Sequence, residues 1–249
     1  MSSALYDRIG QGYTSTRRSD PRIAAAILDA LENARSVLNV GAGAGAYEPS
    51  GGSVVAVEPS WHMIQQRANG APPAVQASAE ALPFKAKAFD AALAVLTLHH
   101  WSDWRSGLRE MRRTATRLVL FMFDPAVVAR RFWLTEVYFP EIAELDRGRS
   151  PSVAEVAAEL DPCRVEPIAI PHDCVDGFLA AYWRRPEAYL DPEVRNSISA
   201  LALVDDDVLA PGIARLRADL ESGAWRERNA ELLDLDALDL GYRLVVAGD

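Results

Sequence analysis

Gly41-Ala42-Gly43-Ala44-Gly45-Ala46 follows directly on the short apolar run Ser36–Val40. No other feature constrains the chain as much. Glycine reaches positive φ without steric cost and lets a backbone approach a bound group with no Cβ in between. At the carboxyl end of a central strand, such a loop sits where open α/β sheets bind nucleotides. A bare strand-to-helix turn would need fewer glycines. The spacing satisfies the dinucleotide fingerprint G-x-G-x-x-[G/A] and equally the G-x-G-x-G form of other cofactor sites. The loop alone therefore leaves the ligand open.

Around it the chain alternates strand and helix. Apolar runs at Ser36–Val40, Ser53–Val57, Ala74–Ala77, Asp90–Leu96 and Arg117–Phe123 read as strands covered on both faces. Helices are expected at Pro21–Leu31, which Asp20 would cap, at Ser60–Arg67 and at Ser102–Arg113. This alternation predicts a parallel sheet with right-handed crossovers. After Pro125 the texture changes: Ala126–Leu160 and Asp173–Leu233 read mostly as helix, with strand candidates at Arg164–Ile170 and Tyr242–Ala247. The expectation is a single α/β domain over 1–249, with a cofactor-binding core at 1–125. Helical insertions at 126–162 and 171–240 would form a lid over the strand ends.

Composition narrows the class. The chain of 249 residues is 49% hydrophobic, enough for a substantial core, and its net charge of −9 argues against nucleic acid or a polybasic membrane patch as partner. Cys163 and Cys174 form no C-x-x-C unit and lie at no metal-ligand spacing with His. A disulfide framework and a structural zinc are not expected, and two thiols suit a reducing compartment. The first residues lack the apolar stretch of a secretory signal, and no apolar run is long enough to span a bilayer. These points predict a metal-free cytoplasmic protein, and a monomer or homodimer is expected.

The second strand ends in Glu58, whose carboxylate can accept hydrogen bonds from both hydroxyls of a ribose. Pro59-Ser60-Trp61-His62-Met63 follows. A methionine one turn into the next helix can lie flat against a purine, or can simply fill core.

VLNVGAGAG, VVAVEPSWHM, QASAEALPF and FDAALAVLTLHHW, in that order and spacing, resemble the motif series of class I S-adenosylmethionine-dependent methyltransferases, nearest the small-molecule (type 11-like) subgroup. The resemblance covers roughly Tyr6 to Pro125, and the Gly-Tyr-Arg-Leu-Val-Val end fits the family's last strand. It implies a Rossmann-like, seven-stranded, mostly parallel sheet with helices on both faces and helical lid insertions after the fifth and sixth strands. It implies S-adenosylmethionine as cofactor and S-adenosylhomocysteine as product. By the same resemblance Gly41, Ala42, Gly43 and Gly45 would wrap the methionyl part, Glu58 and Pro59 would border the ribose, and Met63 would pack on adenine. Ser78, Ala79 and Glu80 would meet the adenine edge, where the family often has Asp in place of Ser78. Leu96 would offer its carbonyl to the ammonium group, and Tyr13 and Arg17 would close over the carboxylate. One departure stands out: the family places an acid two residues before the first glycine, and here that residue is Asn39.

Methyl transfer needs an acceptor atom held in line with the methyl, about 3 Å away, and often a base for the acceptor's proton. His99 is the candidate base with His100 in reserve; the pair could equally pack or cap the next helix. Asp124 could orient the histidine, or serve only a strand-to-helix turn. His172 and Asp173 are placed near the same sheet edge. Of Trp133, Tyr138, Phe139, Tyr182 and Trp183, two are expected to wall an apolar acceptor, aromatic ones included. Arg184 and Arg185 could meet an acidic substrate group. The predicted reaction is methylation of O or C. The rival readings are a methyltransferase fold that catalyses a non-methylating step such as cyclisation, an NAD(P)-dependent oxidoreductase, and a non-catalytic cofactor binder.

Overall fold

The structure, a computed structural model, describes residues 17–248; Tyr13 lies outside them. Asp20 accepts a hydrogen bond from the Arg22 N–H and Pro21 opens helix α1 (Pro21–Leu31), whose buried Ile23, Ile27 and Leu31 face the sheet. Strands β1 (Ser36–Val40), β2 (Ser53–Val57), β3 (Ala74–Val75), β4 (Phe89–Val95) and β5 (Ala115–Phe123) follow, with α2 (Trp61–Gln65) and α3 (Trp104–Thr114) between them. The third strand is shorter than the sequence suggests, ending at Val75.

Beyond β5 come α4 (Pro125–Arg131), α5 (Pro140–Arg149) and α6 (Val153–Glu159), then β6 (Cys163–Pro167) and β7 (Ile170–Pro171). The expected strand Arg164–Ile170 is thus two strands: β6 joins the main sheet, and β7 pairs with β8 (Ala237–Leu238) in a separate two-stranded ribbon. Short helices α7 (Pro192–Ser197), α8 (Ser199–Ala202), α9 (Asp206–Ser222) and α10 (Ala224–Arg228) precede the last strand, β9 (Tyr242–Ala247).

The main sheet has seven strands in the order β3-β2-β1-β4-β5-β9-β6. The pairs among β1 to β5 are parallel, and β9 runs antiparallel to both its neighbours. This is the expected Rossmann-like, mostly parallel sheet. Period-two alternation divides its core between two faces. Val119 and Phe121 pack with α1 and with the insertions' Phe132, Phe139, Trp183 and Tyr189 on one side. Leu118, Leu120 and Met122 pack with Leu108 and Met111 of α3 and Val156 of α6 on the other. Most of the insertions therefore share a continuous core with one face of the sheet, while α6 packs on the other. No described helix is long and apolar enough to cross a membrane.

Candidate functional site

Strand order reverses between β1 and β4: the chain steps outward from β1 to β2 and β3, then returns to β4 and β5. Loops leaving the two strands diverge there and open a crevice at their carboxyl ends. A cavity of about 310 Å³ fills it, lined by Asn39, Gly41–Ala46, Glu58, Met63, Leu96, Thr97 and His100. That volume lies at the lower end of the range of small-molecule sites.

The glycine loop is held by its own amides. Gly41 and Ala42 N–H groups donate to the Val57 carbonyl at 2.9 and 3.0 Å. Gly41 adopts φ +70°, and a Cβ there would stand 2.1 Å from Thr97 Oγ1. Only glycine fits. Gly43, also at positive φ, leaves its missing Cβ 3.5 Å from Met63 Cε, so backbone and thioether together bound one wall.

Glu58 is buried. One carboxylate oxygen accepts the Gly43 N–H and the other the Ser60 N–H, each at 2.9 Å. Burial raises its pKa, opposed by those two N–H groups and by Arg67. Each oxygen keeps a further lone pair for a ligand hydroxyl. Ser78, Ala79, Glu80 and Pro59 line a small adjoining cavity of about 30 Å³, bordered also by Gly41, Glu58 and His100. Oε1 of Glu80 accepts the Ser102 and Asp103 N–H groups just before α3, so that oxygen braces the helix start. Leu96 sits at φ +47°, a left-handed backbone rare for a β-neighbour and typical of strained functional turns.

Arg17 borders the large cavity. Its guanidinium reaches Asp176 Oδ1 at 2.7 Å, and Tyr47 donates its hydroxyl to Oδ2 of the same carboxylate at 2.9 Å. Asp176, from the second insertion, thereby pins the segment before α1 against the loop that follows the glycines.

A second cavity, about 40 Å³, shares Arg17, Leu96 and His100 with the first. His99, Phe123, Asp146, Arg149, Phe178, Ser199 and Tyr242 complete its wall. The two imidazoles lie tilted at 47° with centroids 3.8 Å apart, and His99 meets the Phe123 ring edge-on at 5.3 Å. Burial lowers the pKa of both. The positive charges of Arg149 and Arg17 add to this, bringing His100 to about 3, and His99, which also feels His100, falls well below its usual value. Both are neutral at pH 7.

Several expected residues lie elsewhere. The Asp124 carboxylate caps α4 through the Ala126 and Val127 N–H groups and takes the Val153 N–H at the start of α6; it borders none of these cavities. Trp133, Tyr138, Phe139, Tyr182 and Trp183 line none of them either. Four are buried, and Trp133 Nε1 donates to the Trp183 carbonyl, while Tyr182 lies beneath the Arg185 guanidinium. Arg184 donates to the Leu233 and Leu235 carbonyls and Arg185 to that of Ala181. Asp173 pairs with Arg22 at the surface, and His172 is fixed through its N–H to Asp236. Aromatics at helical spacing became core, and arginines became ties between loops.

The walls not anticipated are Thr97, Asp146, Arg149, Phe178, Ser199 and Tyr242. Thr97 had a signal, since it follows Leu96 at a strand end. Tyr242 lies in the Gly-Tyr-Arg-Leu-Val-Val end, which marked a strand and not a pocket, and the rest come from segments with no motif. Cys163 and Cys174 are free thiols, and burial raises Cys174 to about 12.

Comparison with known proteins bears on this geometry. The family profile described as "Methyltransferase domain" matches residues 38–122. A solved structure from Anabaena variabilis, assigned as a methyltransferase from an antibiotic biosynthesis pathway, is 35% identical. It aligns over 94% of this chain and 99% of its own, with a TM-score of 0.86. The [4+2]-cyclase SpnF aligns over 99% and 95% at 14% identity with a TM-score of 0.56, which speaks to fold alone. An S-adenosylmethionine-dependent methyltransferase from Aquifex aeolicus is 20% identical over 59% of this chain and 82% of its own, with a TM-score of 0.43. No protein of curated function matches.

Proposed function

The chain belongs to the class I S-adenosylmethionine-dependent methyltransferases, and from that premise we propose that it methylates an O or C atom of a small, largely apolar acceptor, aromatic ones included. The observation that carries the reading is one junction: a polar cavity of cofactor size meets a smaller aromatic-walled cavity at Arg17, Leu96 and His100.

The residues present fit the cofactor. Gly41 and Gly43 leave the cradle that a Cβ would fill. Glu58 holds unshared lone pairs where two ribose hydroxyls would donate, and Met63 offers a polarizable face to a purine. Ser78 and Ala79 are the groups for the adenine edge. Arg17 and the Leu96 carbonyl are those for the amino-acid end; the matching role for Tyr13 lies outside the described residues. When bound, S-adenosylmethionine supplies a methyl group already activated by its sulfonium.

The protein's remaining tasks are alignment and exclusion of water. Phe123, Phe178 and Tyr242 would hold the acceptor's apolar body, and His99 and His100, being neutral, would accept a hydrogen bond from its hydroxyl. His100, brought down to about 3, and His99, also held well below an ordinary imidazole, are weak bases that take a proton readily only from an acidic group. The pair therefore suits orienting an acidic hydroxyl or activated carbon better than deprotonating an alcohol. About 40 Å³ admits the end of an acceptor and not a fused ring system unless the insertions open. That weak basicity also favours the second reading, a non-methylating step in which the same pockets orient a substrate for cyclisation. A nicotinamide-dependent oxidoreductase has no observation in its favour. One buried and one half-buried free thiol, Cys174 and Cys163, support a cytoplasmic placement.

Calorimetric titration with S-adenosylmethionine, S-adenosylhomocysteine and NADPH, with Glu58→Ala as control, tests this. Micromolar binding of both sulfur compounds, lost in the variant, is expected. Nicotinamide binding without them would sink the proposal.

A further inference from the structure

Beneath the glycine loop lies an ion pair that the mechanism above does not use. Arg67, just past α2, contacts both oxygens of Glu48 through Nη2, at 2.9 and 2.8 Å, and each side chain is only 6% exposed. Desolvation offsets most of the attraction in a pair buried so deeply, so stability alone is a poor reason for it. Arg67 Nη1 is buried with no partner, a further cost. Gly45 makes room for the pair: a Cβ there would stand 3.0 Å from Glu48 Oε2 and 3.2 Å from Arg67 Nη1.

Glu48 has one more contact. Its Oε1 accepts the side-chain amide of Asn39 at 3.0 Å. Asn39, next to last in β1, is 2% exposed and borders the large cavity. It does not border the small cavity of Ser78–Glu80. Its partner in β4 is Leu93, three residues before Leu96, and the large cavity that it borders is also lined by Arg17 and Leu96. An asparagine side chain has one donating and one accepting end. A carboxylate can only accept, so Glu48 must hold the NH₂ end. That leaves the carbonyl Oδ1, to which no described residue donates a hydrogen bond.

We propose that Glu48 is a positioning residue: by holding the Asn39 amide it turns Oδ1 toward the cavity as an acceptor for the ammonium group of the cofactor's amino-acid part, while Arg67 fixes the carboxylate. The inference rests on the reading of the large cavity as the S-adenosylmethionine site. A neutral carbonyl thus faces the ligand, and the negative charge that orients it stays buried and paired one layer behind.

The test separates orientation from mere support. In Glu48→Gln the oxygen of the new amide stays with the charged Arg67 donor, the stronger of its two partners. Its NH₂ then faces Asn39, whose amide must flip and present a donor to the ammonium. Calorimetry should register a loss of about tenfold or more in S-adenosylhomocysteine affinity, the scale of a hydrogen bond to a charged group. Binding of 5′-methylthioadenosine, which lacks the amino-acid part, should change less than about twofold on the same scale. Adding Asn39→Asp to Glu48→Gln should restore S-adenosylhomocysteine, because Asp accepts from the ligand whichever way it turns. Should Glu48→Gln fail to fold, Asn39→Ala leaves the ion pair intact, removes the acceptor oxygen and should give the same split between the two ligands.

Equal loss of both ligands, or loss of neither, would overturn the proposal, as would failure of the double variant to recover. If the unaltered protein binds neither ligand, it is the methyltransferase reading of the cavity that fails, and this inference with it.

Discussion

The two halves of the site are built by different means. On the β1–β2 side the ligand-facing groups are placed by backbone: a loop at positive φ, strand ends, and a carboxylate fixed by two N–H groups at 2.9 Å. On the β5–β9 side they are placed by side chains from separate segments: α5, the stretch at Phe178, the α7–α8 junction and the start of β9. Backbone placement tolerates few sequences, whereas a wall of packed side chains tolerates many. The first half should therefore be brittle to single changes and the second forgiving.

A pair of glycine substitutions tests that contrast most severely. Gly41→Ala puts a methyl 2.1 Å from Thr97 Oγ1 at φ +70°. A left-handed alanine costs roughly 1–2 kcal/mol before any clash, and Thr97 cannot withdraw without moving the strand end. Affinity for S-adenosylhomocysteine should fall about 100-fold or more, a loss of roughly 3 kcal/mol. Gly148→Ala in α5 meets nothing within 4 Å, and should leave binding untouched while raising stability by about 0.5 kcal/mol. Titration and melting of both variants check this. A Gly41→Ala protein that binds like the parent would erase the distinction between the halves.

The same difference explains what could be read from sequence. The strand–glycine–strand–acid series needs particular residues at particular spacings, so Gly41, Gly43, Glu58 and Met63 were legible and stand around one cavity. So was the sheet, because strands covered on both faces must be apolar throughout. The acceptor side was not. Trp133 and Trp183 looked like candidate walls because they are large and aromatic, yet core and pocket make the same demand on composition. Only tertiary packing chose Phe178 and Tyr242 instead. Arg149 carries no local mark at all: its partner Asp146 lies three residues earlier on the same helix, as in many solvated helix pairs. Asn39 was visible as a departure from the family, but Glu48, nine residues on, completes its environment only through the loop's fold.

Acid should sharpen the comparison from the acceptor side. His100 has a folded pKa near 3 against 6.5 for an ordinary imidazole. Between those values the unfolded chain binds the extra proton and the folded one does not, so its share of stability is complete above pH 6.5 and is lost as pH falls. The raised pKa of Asp146, which burial favours in its neutral form, works the opposite way. The His100→Asn variant therefore isolates the histidine. Between pH 7.5 and 5 the parent should lose roughly 1–2 kcal/mol more than the variant, or about 4 °C in melting temperature. Parallel melting curves for the two proteins would mean that His100 is hydrated and its neutral state is not enforced.

The smallest effect concerns Asp124, just past the end of β5. Its carboxylate caps α4 and receives the Val153 N–H of α6, so its work is to fasten the first insertion to the end of β5. Asp124→Ala removes a helix cap, a loss of about 1 kcal/mol, and should lower the melting temperature by about 2–4 °C for a chain of this size. Because the side chain borders none of the cavities that hold His99 and His100, affinity for S-adenosylhomocysteine and the pH dependence of melting should both match the parent. A variant that instead changes the histidines' titration, followed by NMR, would return Asp124 to the orienting role its position after β5 first suggested. Asp124 would then act on the acceptor side through charge as well as through packing.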